Sequence, residues 1–171
     1  MSLLTSAPTK AFIALGSNLG DSAAIVQLAM ERLQEFSTRP LLESSLWQST
    51  PVDCPPGSPF FVNAVVALAP LAGETPESLL ERLHALERAS GRRARQVLNE
   101  PRPLDLDLIA FGPEVRDTPG LILPHPRAHL RRFVLEPLHE IAPDLVLPRQ
   151  TKSVRELLAI LPTDEALRRL E

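Results

Sequence analysis

A single cysteine, Cys54, excludes an internal disulfide framework and fits a reducing compartment. It has no helical His or Asp partner pattern for nucleophilic catalysis, so it reads as an incidental loop thiol. Long apolar runs are also missing, and no segment reaches the roughly 20 apolar residues that span a bilayer. The amino terminus, MSLLTSAPTKAF, lacks the basic start and apolar stretch of a signal peptide, so a cytoplasmic protein with no membrane partner is expected. There is no excess of positive charge. A net charge of -3 argues against a nucleic-acid binder. The usual phosphate cradles are absent too, because neither GxxxxGK[ST] nor GxGxxG occurs.

What is present is a chain of 171 residues, 44% hydrophobic, long enough for one well-buried domain over 1–171. Its core is expected over about 11–161, with 162–171 as a loosely held terminal helix. Lysine is nearly replaced by arginine: Lys10 and Lys152 are the only lysines among 18 basic residues, and ten arginines fall between Arg82 and Arg132. Arginine forks match phosphate oxygens two at a time.

The apolar periodicity predicts a strand at Phe12–Leu15, broken by a turn at GSNLGD, where Asp21 or Ser22 can cap a helix. That helix carries Ile25, Leu28, Ala29, Leu33 and Phe36 on one stripe and ends near Ser37. A strand follows over 41–49 with Leu42 and Leu46 on its apolar side, then a proline-rich loop, then the strongest strand, Phe60–Leu68. The second helix starts at Thr75 and Pro76, turns Leu79, Leu80, Leu83 and Leu86 inward, and stops at Gly91. A strand from about Leu104 to Phe111 precedes turns around a short strand at Val115, then a strand at Leu121–Leu123. Helix over 133–142 is interrupted by Pro137, Leu145–Leu147 forms a small edge strand, and Ser153 with Glu156 caps a helix over 154–161. The β-α-β-β-α-β order indicates an α+β, ferredoxin-like fold, with a mostly antiparallel sheet flanked by helices.

The chemistry concentrates in PRPLDLDLI. Residues two apart on a strand share a face, with Cα atoms roughly 7 Å apart, so Asp105 and Asp107 point the same way while Leu104, Leu106 and Leu108 take the other face. Two carboxylates crowded on a sheet surface need a positive compensator. Magnesium, usually held by one or two carboxylates plus substrate phosphates, suits a pair this sparse. Arg92, Arg93 and Arg95 leave the second helix in a loop leading to Arg102, and this loop could fold over a polyphosphate as a lid. Phe61 and Asn63 share a strand face, where a ring and an amide suit a flat heterocycle that stacks and hydrogen-bonds. His125 with Arg127, Arg131 and Arg132 forms a second phosphate-facing group, and His84 and Glu87 lie one helical turn apart. Two alternatives stand beside an ATP-consuming reading. One is another magnesium-dependent phosphotransferase using the same Asp pair. The other is a non-catalytic ferredoxin-like ligand-binding domain.

FIALGSNLGD, WQSTPV, FFVNAVV, ERASGRRAR, PRPLDLDLIAFG, LPHPR, RRFVLEPL and EIAPDL occur in this order over roughly 11–148. Together they resemble the 6-hydroxymethyl-7,8-dihydropterin pyrophosphokinase family, which moves a pyrophosphoryl group from ATP onto a pterin hydroxymethyl and releases AMP in folate biosynthesis. The resemblance implies that Asp105 and Asp107 hold two Mg2+ ions on the ATP phosphates, one of which also binds the pterin hydroxyl. It implies that Arg92 and Arg102 steady the phosphates, with Arg93 or Arg95 standing in for a second loop arginine that here is Ala94. Arg95, His84, Glu87, His125 and Arg131 fall at nucleotide-contacting positions. Phe61 and Phe133 would sandwich the pterin, Asn63 would read its edge, and the backbone around Ser49, Pro51 and Val52 would complete that pocket. ATP and the pterin are the expected partners, and a monomer is expected. The chain departs from the family at LNEPR, where Asn99 and Glu100 replace a more usual Trp-Gly pair before the Asp strand, and at Pro126, where an aromatic can occur.

Overall fold

The computed structural model describes residues 8–51, 55–91, 103–163 and 166–170. Strand β1 (Ala11–Ser17) alternates its side chains between two buried clusters. Ala11, Ile13 and Leu15 enter one cluster; Phe12 enters the other, with Ala14 packed against it. β1 pairs antiparallel with β4 (Phe61–Leu68) on one side and β5 (Asp105–Phe111) on the other, which makes it a central strand. β2 (Leu42–Glu43) and β3 (Trp47–Ser49) both pair with β4, and β8 (Leu167–Arg169) extends the sheet beyond β3, giving the order β5-β1-β4-β3-β8. Counting β2 and β3 as one broken strand, the arrangement is the expected ferredoxin-like split unit, antiparallel throughout.

Helices α1 (Ser22–Leu33) and α2 (Pro76–Ala89) cover one face. Val26, Ala29, Met30 and Leu33 of α1 meet Leu79, Leu83 and Leu86 of α2 over Ile13, Leu15, Val66 and Leu106. Asp21 caps α1 by accepting from Ala24 N–H at 3.3 Å, and Thr75 with Ser78 forms a capping box on α2. Helices α3 (Arg132–Ile141) and α4 (Val154–Ile160) cover the opposite face, where Val134, Leu135, Leu138 and Leu157 pack on Phe12, Val65, Ala67 and Ile109. A small hairpin of β6 (Arg116–Thr118) and β7 (Leu121–Leu123) follows β5. Among the described residues, no helix is long and apolar enough to cross a membrane.

Several expectations are corrected. β1 runs on through Gly16 to Ser17, so Gly16 belongs to the strand; the left-handed turn glycine is Gly20, at φ 80°. The expected strand over 41–49 breaks in two because Ser44 turns its hydroxyl to accept from Val65 N–H at 2.9 Å, taking the place of a ladder carbonyl. Leu42 is consequently exposed, and Leu28 lies on the solvent side of α1 because Val26 and Met30 complete the buried stripe. Phe60 precedes β4 and is exposed. Pro137 does not interrupt α3; it sits inside it, removing only the donor for the Phe133 carbonyl. Residues 145–147 form no strand, since Leu145 N–H bonds back to Ala142 and its carbonyl accepts from Val154 N–H. The terminal segment is a strand where a helix was expected, because β3 otherwise presents a bare edge whose backbone groups pair with 167–169. Leu170 N–H adds a bond to the Leu46 carbonyl at 2.8 Å.

Candidate active site

The register of the sheet builds the site. Gly16 of β1 lies opposite Asn63 of β4 and, on its other side, opposite Asp105 of β5, while Asn63 lies opposite Trp47 of β3. Asp105, Gly16, Asn63 and Trp47 therefore form one row across four strands. Two strand spacings separate the Asp from the Asn, about 10 Å between Cα atoms. Asp107 lies in the next row, opposite Ala14. Leu104, Leu106 and Leu108 are buried on the α1/α2 side, so both carboxylates face the α3/α4 side, as the alternation requires. Ala14, Gly16, Asp105 and Asp107 are all partly exposed. Ala14 and Gly16 lie on a strand paired on both sides, so their exposure is through this sheet face, and among the described residues α3 and α4 leave this end open as a cleft.

Asn63 is the buried polar anchor of the cleft, and its Nδ2 donates to Ser49 Oγ at 2.7 Å. That bond commits one amide N–H to β3 and turns Oδ1 toward Gly16, where it stands 3.7 Å from the position a Cβ would take. Phe61 Cδ1 is at the same 3.7 Å from that position, so ring and amide oxygen border one floor. Phe133, at the start of α3, packs into the cluster on this same face, and the Arg131 guanidinium lies 5.4 Å from its ring centroid.

His125 reaches the carboxylates by a different route. Between Phe12 and Ile13 of β1 the pairing with β5 slips from Ala110 to Leu108, leaving Ile109 as a bulge. The Ile109 carbonyl accepts from His125 N–H at 2.9 Å, which ties the segment after β7 to the Asp strand two residues past Asp107. Burial pulls the imidazole pKa down to about 4, helped by the positive charge of Arg131 and Arg127 and opposed by Asp105. Arg127 N–H donates to Nδ1 at 3.2 Å, so the neutral ring carries its proton on Nε2. Because the folded-state value lies below the ordinary 6.5, the stability that depends on this neutral ring is complete above pH 6.5 and is lost as pH falls toward 4. A His125→Asn variant, which can still accept from Arg127 N–H, is expected to lose less stability than the native chain between pH 7 and pH 5 in paired denaturant titrations.

Glu87 of α2 is buried, and its Oε2 accepts from Leu106 N–H of β5 at 2.9 Å. Leu106 lies between the two aspartates on an edge strand, so this carboxylate pins the Asp-bearing segment from outside the sheet. A Glu87→Ala change leaves that backbone donor without this acceptor and is expected to cost on the order of 1–3 kcal/mol of folding stability, readable by urea unfolding. His84 is exposed one turn earlier on the same helix. Pro51 is half-buried just past β3, while Val52, Cys54, Arg92, Arg93, Arg95, Asn99, Glu100 and Arg102 lie outside the described residues.

The structure thus brings Asp105, Asp107, Asn63, Phe61, Ser49, Phe133, His125 and Arg131 to one end of one sheet face. Trp47 and Glu140 were not singled out by sequence, and Gly16 only as part of the GSNLGD turn. Glu140 accepts from Trp47 Nε1 at 2.6 Å and from Ser45 Oγ at 2.8 Å, clamping the β3 edge to α3. Gly16 had a legible signal, since it stands two residues after Ala14 and therefore shares its strand face. Among the described residues, no three or more His, Cys, Asp or Glu side chains converge to hold a metal ion. Two hard carboxylate donors on an open face still fit a magnesium ion that keeps its waters and takes further ligands from phosphates.

A family model described as 7,8-dihydro-6-hydroxymethylpterin-pyrophosphokinase matches residues 12–143. A 2-amino-4-hydroxy-6-hydroxymethyldihydropteridine pyrophosphokinase of Pseudomonas aeruginosa is 42% identical over 154 residues, covering 90% of this chain and 92% of the relative. One from Methylorubrum extorquens is 41% identical, covering 90% and 94%. Among solved structures, an HPPK-DHPS protein in complex with substrates superposes with a TM-score of 0.71 at 11% identity, covering 90% of this chain and 43% of its own. The wild-type HPPK-DHPS of Plasmodium falciparum gives 0.69 at 12% identity, covering 90% and 44%. This chain therefore spans less than half of those longer proteins, and the likeness to them is one of fold.

Proposed function

Because the chain belongs to the 7,8-dihydro-6-hydroxymethylpterin-pyrophosphokinase family, we propose that its open sheet face aligns ATP and the pterin for in-line transfer. The protein is a pyrophosphokinase that transfers pyrophosphate from ATP to 6-hydroxymethyl-7,8-dihydropterin in folate biosynthesis. The observation that carries the placement of the two substrates is the row Asp105, Gly16, Asn63, which sets an acidic end and an amide end on one open surface.

In this reading Asn63 Oδ1, oriented by Ser49, accepts from the pterin ring, while Phe61 and Phe133 bound its faces and the backbone at 49–52 closes the pocket. The ring's hydroxymethyl arm then points along the row toward Asp105 and Asp107. Those carboxylates would hold magnesium, two ions being expected, and the metal supplies charge neutralisation on the phosphates. His125 and Arg131 flank the phosphates from the α3 side. Arg92, Arg95 and Arg102 are the further phosphate ligands proposed, with His84 and Glu87 on the nucleotide side. The hydroxymethyl oxygen attacks the β-phosphorus, the bond to the bridging oxygen of the α-phosphate breaks, AMP leaves with that oxygen, and the hydroxyl proton passes to Asp107 or solvent. Most of the acceleration is positional, since holding two reactants aligned contributes on the order of 7–11 kcal/mol. The cytoplasm is the proposed site of action and a monomer the proposed form.

Chromatography of a reaction containing ATP, magnesium and the hydroxymethyl pterin tests this directly. AMP and pterin diphosphate are expected in equal amounts, with loss of both on chelation by EDTA. ADP as the principal nucleotide product would assign the Asp pair to an ordinary phosphotransferase.

A further inference from the structure

We propose that Gly16 is a specificity-determining residue: its missing side chain keeps open the floor along which the substrate's one-carbon arm reaches from the Asn63 pocket to the Asp105–Asp107 pair. The proposal rests on the substrate placement above.

Three observations converge on it. First, the backbone does not need glycine here. Gly20, Gly57, Gly73, Gly91 and Gly112 have positive φ, whereas Gly16 lies in regular strand, where any residue is allowed. Second, the neighbours do not need it either. A Cβ at Gly16 would meet Asn63 Oδ1 and Phe61 Cδ1 at 3.7 Å each, ordinary van der Waals distances, so a methyl could be housed without moving the protein. Glycine in a strand interior weakens the strand and often marks a place where something approaches the backbone closely. Third, the position is wet although both neighbouring strands are paired to it, because it forms part of the open face. A methyl there would touch the two side chains assigned to the heterocycle and project into the space above them. It would lift a flat bicyclic ring off the floor and draw its arm away from the carboxylates, while leaving the Asp pair and the α3-side cations untouched. Glycine at this point therefore selects a planar ring lying close against β1, and excludes rings with substituents on the face turned toward the sheet.

The test compares Gly16→Ala with the native protein in three measurements: thermal melting, calorimetric binding of a non-hydrolysable ATP analogue with magnesium, and initial rates against pterin concentration. Gly16→Ala is expected to melt no lower than the native chain and to bind the analogue within about twofold. Its kcat/KM for the pterin is expected to fall roughly 10- to 100-fold, the range for one misplaced methyl in a close-packed contact. An unchanged kcat/KM in an otherwise active enzyme would overturn the role of Gly16 and leave the functional reading intact. Loss of folding, or a comparable loss of analogue binding, would show that glycine is needed by the structure or by the nucleotide, and would also overturn it. If the native protein itself neither binds nor converts the pterin, the functional reading fails first and this inference with it.

Discussion

Asp107→Ala is expected to lower pyrophosphoryl transfer by on the order of 10³-fold or more, the scale set by removing a preorganised electrostatic contact to a transition state. Fold and melting temperature should change little. Asp107 is partly exposed on the open face, opposite Ala14, and truncating it leaves no cavity in either buried cluster. Steady-state rates at saturating substrates, with calorimetry alongside, separate the chemical effect from a folding one. A variant retaining near-native turnover would remove Asp107 from the reaction.

Asn63→Leu should produce a loss of similar rank through the other substrate. The amide is buried, and one of its two N–H donors is committed to Ser49 at 2.7 Å, so its acceptor oxygen is offered to a ligand in a fixed direction. Leucine keeps the branched heavy-atom skeleton but leaves a ring N–H of the pterin buried without a partner and strips Ser49 Oγ of its donor. A site built around a hydrogen bond discriminates steeply when one side is missing, so kcat/KM for the pterin should drop by roughly 10²- to 10³-fold. Binding of an ATP analogue with magnesium should stay within about twofold, because Asn63 lies two strands away from Asp105. Asp107→Ala is expected to show the opposite pattern, with metal-dependent nucleotide binding lost and free pterin binding kept. Fluorescence titration with pterin and calorimetry with the analogue, run on both variants, distinguish the two ends of the row.

How much of this could be read in the chain follows from which forces act locally. The alternation in LDLDL assigned Asp105 and Asp107 to one face and the leucines to the core, since a period of two leaves no other choice once three leucines must be buried. Caps at Thr75 and Ser153 were equally plain, and that of α1 was narrowed to Asp21 or Ser22, because a side-chain oxygen satisfying the first turn is a contact within four residues. Contacts distant in sequence escaped. The sheet's outer edge recruits 167–169 as a strand through backbone pairing to 47–49, and nothing in LRR itself announces that partner. Ser44 looked like one more polar residue of a continuous strand, yet its hydroxyl takes a ladder bond from Val65 and splits the strand. Glu87 read as a residue that either touches a nucleotide or is solvated, and its spacing on α2 gave no sign of the buried bond its carboxylate accepts from the Leu106 amide. Gly16 was seen as punctuation before a turn because its neighbour Gly20 does turn the chain. Only the register, with Asn63 on one side and Asp105 on the other, shows that a strand residue without a side chain sits midway between the two halves of the site.

Manganese titration followed by electron paramagnetic resonance, with a non-hydrolysable ATP analogue present, probes the metal-holding role of the Asp pair most directly. Two bound manganese ions per native chain are expected, with that binding abolished in Asp107→Ala and retained in Asn63→Leu. The same manganese stoichiometry and affinity in Asp107→Ala as in the native chain would contradict it.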